Sequence, residues 1–190
     1  MRLKHKIETL MTNPKGVFKK YLFRVSYYPF SRGMPKPYLD EDYEKHWNHA
    51  DFKQKKVLDL GADYGSTAAW FRKKGSREVI AVEAEKELYA KLEHYSENRS
   101  WLTVINEFID SSNKIDQLVT NFNPQIVKVD IEGAEKNLLN CDKLADVSTW
   151  LIEAHSEQIR VELTSHFQRI GFSVRRVSDL GNFDILVIQK

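Results

Sequence analysis

From Lys56 onward, short runs of aliphatic and β-branched residues alternate with stretches whose apolar positions recur at helical spacing. Val57 to Leu60, Val79 to Val82, Leu102 to Ile105, Ile126 to Val129 and Trp150 to Glu153 are predicted strands. The intervening helices are Ser66 to Lys73, ended by Gly75; Lys86 to Glu97, with Leu88, Leu92 and Tyr95 on one face; Ile115 to Asn121; and Glu135 to Asn140. A last helix begins at Ser156 as N-cap, carries Ile159, Leu163, Phe167 and Ile170 as its buried stripe, and stops at Gly171.

This alternation predicts an α/β fold: a mostly parallel, seven-stranded Rossmann-like sheet with helices on both faces. The rhythm changes at the end. Phe172 to Val177 and Phe183 to Ile188 are separated only by Ser178 to Asn182, too short for a parallel crossover, so they should pair as an antiparallel hairpin at the sheet's edge. Before the sheet, Leu3 to Met11 and Val17 to Ser26 are predicted helices, Pro29 to Pro37 a linker, and Asp40 to Ala50 a segment with Tyr43 and Trp47 on one helical face. We therefore divide the chain into a basic helical extension, residues 1–50, and a nucleotide-binding domain, residues 51–190.

Composition narrows the possibilities. Hydrophobic residues make up 42% and charged residues 29%, and no apolar run approaches the roughly 18 residues of a membrane span. Lys4, Lys6 and Glu8 interrupt the first ten residues, so no secretory signal is expected. The one cysteine, Cys141, has no internal partner, and no Cys/His spacing matches a zinc site; a reducing, cytoplasmic setting without a resident metal is the expectation. The net charge of +2 conceals an asymmetry, because residues 1–36 hold nine Lys/Arg against Glu8 alone and the remainder carries −6. A basic arm on an acidic body favours phosphate-bearing partners.

Three stretches carry the chemistry. Val57-Leu58-Asp59-Leu60-Gly61-Ala62-Asp63-Tyr64-Gly65 is a buried strand entering a glycine turn that opens a helix, the place where doubly wound sheets bind nucleotides. Glu83 follows the second strand, 22 residues beyond Gly61, near the ~20-residue spacing that brings an acid to ribose hydroxyls. Ala62 replaces the middle glycine of the dinucleotide fingerprint, and Asp59 and Asp63 flank the turn. Two carboxylates there would repel a pyrophosphate but suit an ammonium and a sulfonium, the charges of S-adenosylmethionine. The third stretch, Ile126 to Glu135, delivers Asp130 and Glu132 to the carboxyl edge of the sheet, with Gly133 turning the chain and Glu135 at a helix start.

Taken together, Asp59-Leu60-Gly61-Ala62-Asp63-Tyr64-Gly65, Val82-Glu83-Ala84 and Lys128-Val129-Asp130-Ile131-Glu132-Gly133-Ala134-Glu135 resemble the three signature stretches of the FkbM family of S-adenosylmethionine-dependent methyltransferases, in order, and Ile152-Glu153-Ala154-His155 resembles that family's next strand. The resemblance covers residues 56–190. It implies a seven-stranded sheet whose last strand is antiparallel and methylation of a hydroxyl oxygen, often on a sugar or secondary metabolite. Asp63 stands where the family commonly has Asn, and Ala84 where it has Pro.

On this reading S-adenosylmethionine is the cofactor. Asp59 meets its amino group; Gly61, Ala62, Asp63 and Gly65 its methionine end; Glu83 its ribose, beside Ala84; Phe108 and Ile109 its adenine. Asp130, Glu132, Glu153 and His155 ring the acceptor side, with His155 or Glu132 as general base and a divalent cation on Asp130, Glu132 and His155 as a further possibility. A carboxylate near His155 would raise its pKa and the helix start would lower it; the sequence leaves that contest open. Two alternatives rest on the arm, where Tyr21, Phe23, Tyr27 and Tyr28 interleave with basic residues: an RNA methyltransferase, although the Asn/Asp-Pro-Pro-aromatic block of base-amine methylation is missing, and a non-catalytic module that docks on an anionic surface.

Overall fold

The computed structural model describes Leu22 and residues 25–34, 43–177 and 184–190. The expected helix Leu3 to Met11 and the connection Ser178 to Asn182 lie outside these residues. Seven strands form one sheet: β1 (Lys56–Leu60), β2 (Glu78–Glu83), β3 (Leu102–Asn106), β4 (Ile126–Val129), β5 (Thr149–Ala154), β6 (Ser173–Val177) and β7 (Asp184–Gln189). Their order is β3-β2-β1-β4-β5-β7-β6. β1 to β5 are mutually parallel, while β7 runs antiparallel between β5 and β6, as the short connection requires. Helices α1 (Ser66–Lys73), α2 (Lys86–Ser96), α3 (Ser112–Phe122) and α4 (Glu157–Arg169) supply the crossovers and cover the faces.

Because side chains alternate along a strand, each central strand feeds two cores. Val57, Val79, Ala81, Ile126, Leu151 and Val187 enter one, with Trp70 and Phe71 of α1; Leu58, Ile80, Val127, Trp150, Ile152 and Leu186 enter the other, with Leu163 and Phe167 of α4. The first core also takes in Tyr27, Tyr43, Trp47 and Phe52 from ahead of the sheet. Tyr43 and Phe52 lie 6.2 and 5.4 Å from the Trp70 ring, and aromatic pairs of this kind contribute about 0.5–1.5 kcal/mol beyond their burial.

Several local expectations are corrected. Residues 25–31 are helical, so the helix runs through Pro29 into the predicted linker. In the segment Asp40 to Ala50, only Tyr43–His46 is helical among the described residues, although Tyr43 and Trp47 are both buried as their spacing implied. The predicted helix after β4 is a 3₁₀ helix, Ala134–Asn140. In α4, Ser156 Oγ accepts from Ile159 N–H at 3.2 Å and Leu163 and Phe167 are buried, but Ile170 is 43% exposed, because it has passed the last helical turn before Gly171 at φ 93°.

β1 lies between β2 and β4, where the direction of strand succession reverses. Such a switch point leaves a crevice outside the carboxyl ends of the strands.

Candidate functional site

The turn after β1 is fixed by contact with β4. A Cβ on Gly61 would stand 1.8 Å from the carbonyl oxygen of Asp130, so only glycine allows this approach; its φ is +79°. Gly61 and Ala62 N–H both donate to the Val82 carbonyl at 3.0 Å, tying the turn to β2 as well. Asp63 adopts a left-handed φ of 50°. Its N–H donates to Glu83 Oε2, and Glu85 N–H donates to Glu83 Oε1, each at 2.8 Å. Glu83 is thereby held between two loops. Gly65, at φ +88°, lets α1 start against α2, since a Cβ would meet Leu92 at 2.7 Å.

Beneath the turn lies a buried charge pair. Asp59 and Lys128 are register partners on neighbouring strands, so their side chains emerge side by side on one face. Lys128 Nζ is 3.3 Å from Asp59 Oδ1 and 3.3 Å from Asp130 Oδ2, donates to the Gly61 carbonyl at 2.6 Å, and sits 5.3 Å from the Trp47 ring centre. Thr67 Oγ1 donates to Asp59 Oδ2 at 2.5 Å. Burial pushes the Asp59 pKa up; Lys128 and the Thr67 hydrogen bond oppose that rise.

At the ends of β4 and β5 a second cluster forms around His155. Its Nδ1–H donates to Glu135 Oε1 at 2.8 Å, and the same oxygen accepts from Gly133 N–H at 3.2 Å. Nε2 faces Glu132 at 3.5 Å, Glu153 at 3.6 Å and Asp130 at 3.7 Å. The hydrogen bond to Glu135 is the main reason that the His155 pKa rises to about 9, against a smaller opposing effect of burial. The carboxylates win the contest that the sequence left open, and His155 is an imidazolium near neutral pH. The ligand atoms of Asp130, Glu132 and His155 lie within 4.8 Å of one another, a spacing that a cation could bridge.

Between the two clusters opens a cavity of about 590 Å³, in the size range of small-molecule sites. The ends of β1 to β3 line it with Asp63, Glu83, Glu85 and Glu107, those of β4 and β5 with Asp130, Glu132 and Glu153. Lys128 and His46 are the cations or potential cations in the described lining. Gly61, Ala84, Phe108 and Ile109 reach the cavity as expected, Phe108 being 66% exposed and Ile109 only 4%. Asp59, Ala62 and Gly65 are not part of the lining; Asp59 and Ala62 are fully buried. His155 also lies off the lining, within reach of three residues that form it.

Sequence reasoning missed Lys128, Thr67 and His46 as site residues. The signal for Lys128 was present: it is the one charge at an inward position of the run Ile126-Val127-Lys128-Val129. Glu135, read as a helix-start charge, is fully buried and orients His155.

No family model matches the sequence, and no curated protein matches it. Solved structures do resemble it. Fibrillarin from Aeropyrum pernix, in complex with S-adenosyl-L-methionine, superposes with a TM-score of 0.59 over 77% of this chain and 71% of its own, at 14% identity. The chain has the Rossmann-like methyltransferase fold. Precorrin-6y C5,15-methyltransferase from Geobacter metallireducens gives a TM-score of 0.57 over 73% of this chain and 81% of its own, at 10% identity. A putative RNA methyltransferase from Pyrococcus horikoshii gives 0.56 over 88% and 97%, at 19% identity. At such identities the likeness is one of fold.

Proposed function

We propose that the protein is an S-adenosylmethionine-dependent O-methyltransferase of the FkbM-like kind, acting on a hydroxyl of a neutral small molecule or sugar. One observation carries this reading: among the described residues the crevice at the switch point is lined by seven carboxylates and one lysine, which is already engaged with Asp59, Asp130 and the Gly61 carbonyl. That field opposes a pyrophosphate and suits a cofactor bearing an ammonium and a sulfonium. It equally opposes a phosphate-rich acceptor such as RNA.

Within this reading Glu83 binds the ribose, Phe108 and Ile109 flank the adenine, and Gly61 to Asp63 receive the methionine end. Asp59 acts at one remove, by holding Lys128 beneath the turn. When bound, S-adenosylmethionine supplies an electrophilic methyl carbon on its sulfonium. The chain's residues align the acceptor, an effect that can supply up to ~7–11 kcal/mol, and take its proton. Because His155 is an imidazolium, Asp130 and Glu132 are the acceptor-side bases, and His155 holds them in place.

The test is calorimetric titration with S-adenosylhomocysteine. Wild type should bind, and Glu83→Gln, which can still accept from Asp63 N–H or Glu85 N–H but loses its charge, should bind more weakly by roughly 1.5–3 kcal/mol. Absence of heat with wild type, or unchanged affinity in the variant, would remove the cofactor assignment.

A further inference from the structure

The function proposed above uses nothing on the outer side of the helix at residues 25–31, and that side is unusual. On a helical wheel Leu22, Val25 and Tyr28 fall within an arc of about 120°, and they are 50%, 55% and 64% exposed. Tyr27 and Ser31, fully buried and 5% exposed, occupy the opposite side and face the core. Exposed Arg32 follows at the end of the arc, and Arg99 Nη2 donates to its carbonyl at 2.5 Å, bringing a second guanidinium to the same end. The sequence on either side adds Lys19, Lys20, Arg24 and Lys36.

We propose that this surface docks on an anionic lipid bilayer, with Leu22, Val25 and Tyr28 entering the interface and the Arg32 and Arg99 guanidinium groups meeting the headgroups. An aliphatic stripe set among cations is the pattern of a helix lying in a membrane surface. Charge complementarity decides among occupants. A second copy would bring its own Arg32 and Arg99 guanidinium groups against these and be repelled. RNA would match the charge but offers no apolar phase for Leu22 and Val25. The helix is anchored beside the cavity, because the Tyr27 hydroxyl donates at 2.6 Å to the carbonyl of Ser66, a residue of the cavity wall.

Flotation of the full chain with vesicles of phosphatidylcholine alone, or with one part in three replaced by phosphatidylserine, tests the proposal. Partition onto the anionic vesicles should exceed that onto neutral ones by at least ~10-fold and decline as salt is raised. The triple variant Leu22→Glu/Val25→Glu/Tyr28→Glu should lose at least ~10-fold of that partition while keeping the wild-type melting temperature. If the triple change lowers the melting temperature, Tyr28→Asp alone is compared instead, and a reduced partition is again expected. Equal partition onto both vesicles, none onto either, or unaltered partition of the folded variant overturns the proposal. So does salt-sensitive binding to single-stranded RNA without vesicle binding, which would assign the surface to nucleic acid.

Discussion

The turn after β1 and the turn after β4 face each other across one cavity, and both force a non-glycine residue into left-handed backbone just ahead of a glycine: Asp63 at φ 50° before Gly65, Glu132 at φ 53° directly before Gly133. They are stabilised differently. The first is held mainly by close backbone packing and hydrogen bonds, with Gly61 against Asp130, Gly61 and Ala62 N–H on the Val82 carbonyl, and one carboxylate, Glu83, accepting from two N–H groups. The second is held by charge, with His155 as the hub of four carboxylates. Steric and backbone constraints change little with pH or salt, whereas charge clusters change with both. The molecule thus pairs a fixed wall with an adjustable one, and the function proposed above puts the cofactor on the first and proton transfer on the second.

The largest effect should come from cutting the link between the two. Lys128→Met leaves Asp59 buried without its cation, and removing one member of a buried pair costs about 3–5 kcal/mol. Urea denaturation should show that loss, and the double variant Asp59→Asn/Lys128→Met should recover part of it. A Lys128→Met protein as stable as wild type would mean that the two turns are independent.

Next in size are Asp130→Asn and Glu132→Gln. Once an acceptor is found, each should lower kcat by about 100-fold while S-adenosylhomocysteine affinity, measured by calorimetry, changes little. A large fall in cofactor affinity with unchanged kcat would exchange the roles of the two walls.

The pH response should come from the His155 side. Its pKa is raised in the folded state from 6.5 to about 9, so the folded protein keeps a proton that the unfolded chain releases. The associated stability is complete below about pH 6.5 and is lost as pH rises through about 9. Denaturation midpoints measured across that interval should fall in wild type and flatten in His155→Gln. The smallest expected effect is none at all: EDTA should leave turnover unchanged, because the imidazolium already stands between Asp130, Glu132 and Glu153 where a bound cation would be needed. Loss of activity restored by a divalent cation would show that Asp130, Glu132 and His155 work as ligands.

The fixed wall was the more legible in sequence. Gly61, Asp63 and Glu83 reach the crevice because a strand, a glycine turn and a second strand are local patterns with few geometric solutions. Asp59 lies beneath the crevice for a reason found in the register: β1 pairs with β4 so that Lys128 arrives beside it, 69 residues away in the chain, and no local pattern announces that neighbour. The partner of His155 was likewise hidden, since Glu135 reaches it only after Gly133 turns the chain back toward β5. The antiparallel ending followed from the length of its connection, whereas the strand order did not appear in any local pattern. The shift from α to 3₁₀ at Ala134–Asn140, and the helix through Pro29, are tertiary adjustments that propensity does not encode.

β7 has a consequence for how the protein comes into being. It is the last strand of the sheet in sequence, yet it is inserted between β5 and β6. During synthesis β5, with Trp150, Leu151 and Ile152, presents an unpaired edge until residues 184–189 have emerged. An apolar edge left open in this way invites pairing with other nascent chains. A ribosome that stalls before Asp184 would release not a shortened, working fold but a seed for aggregation.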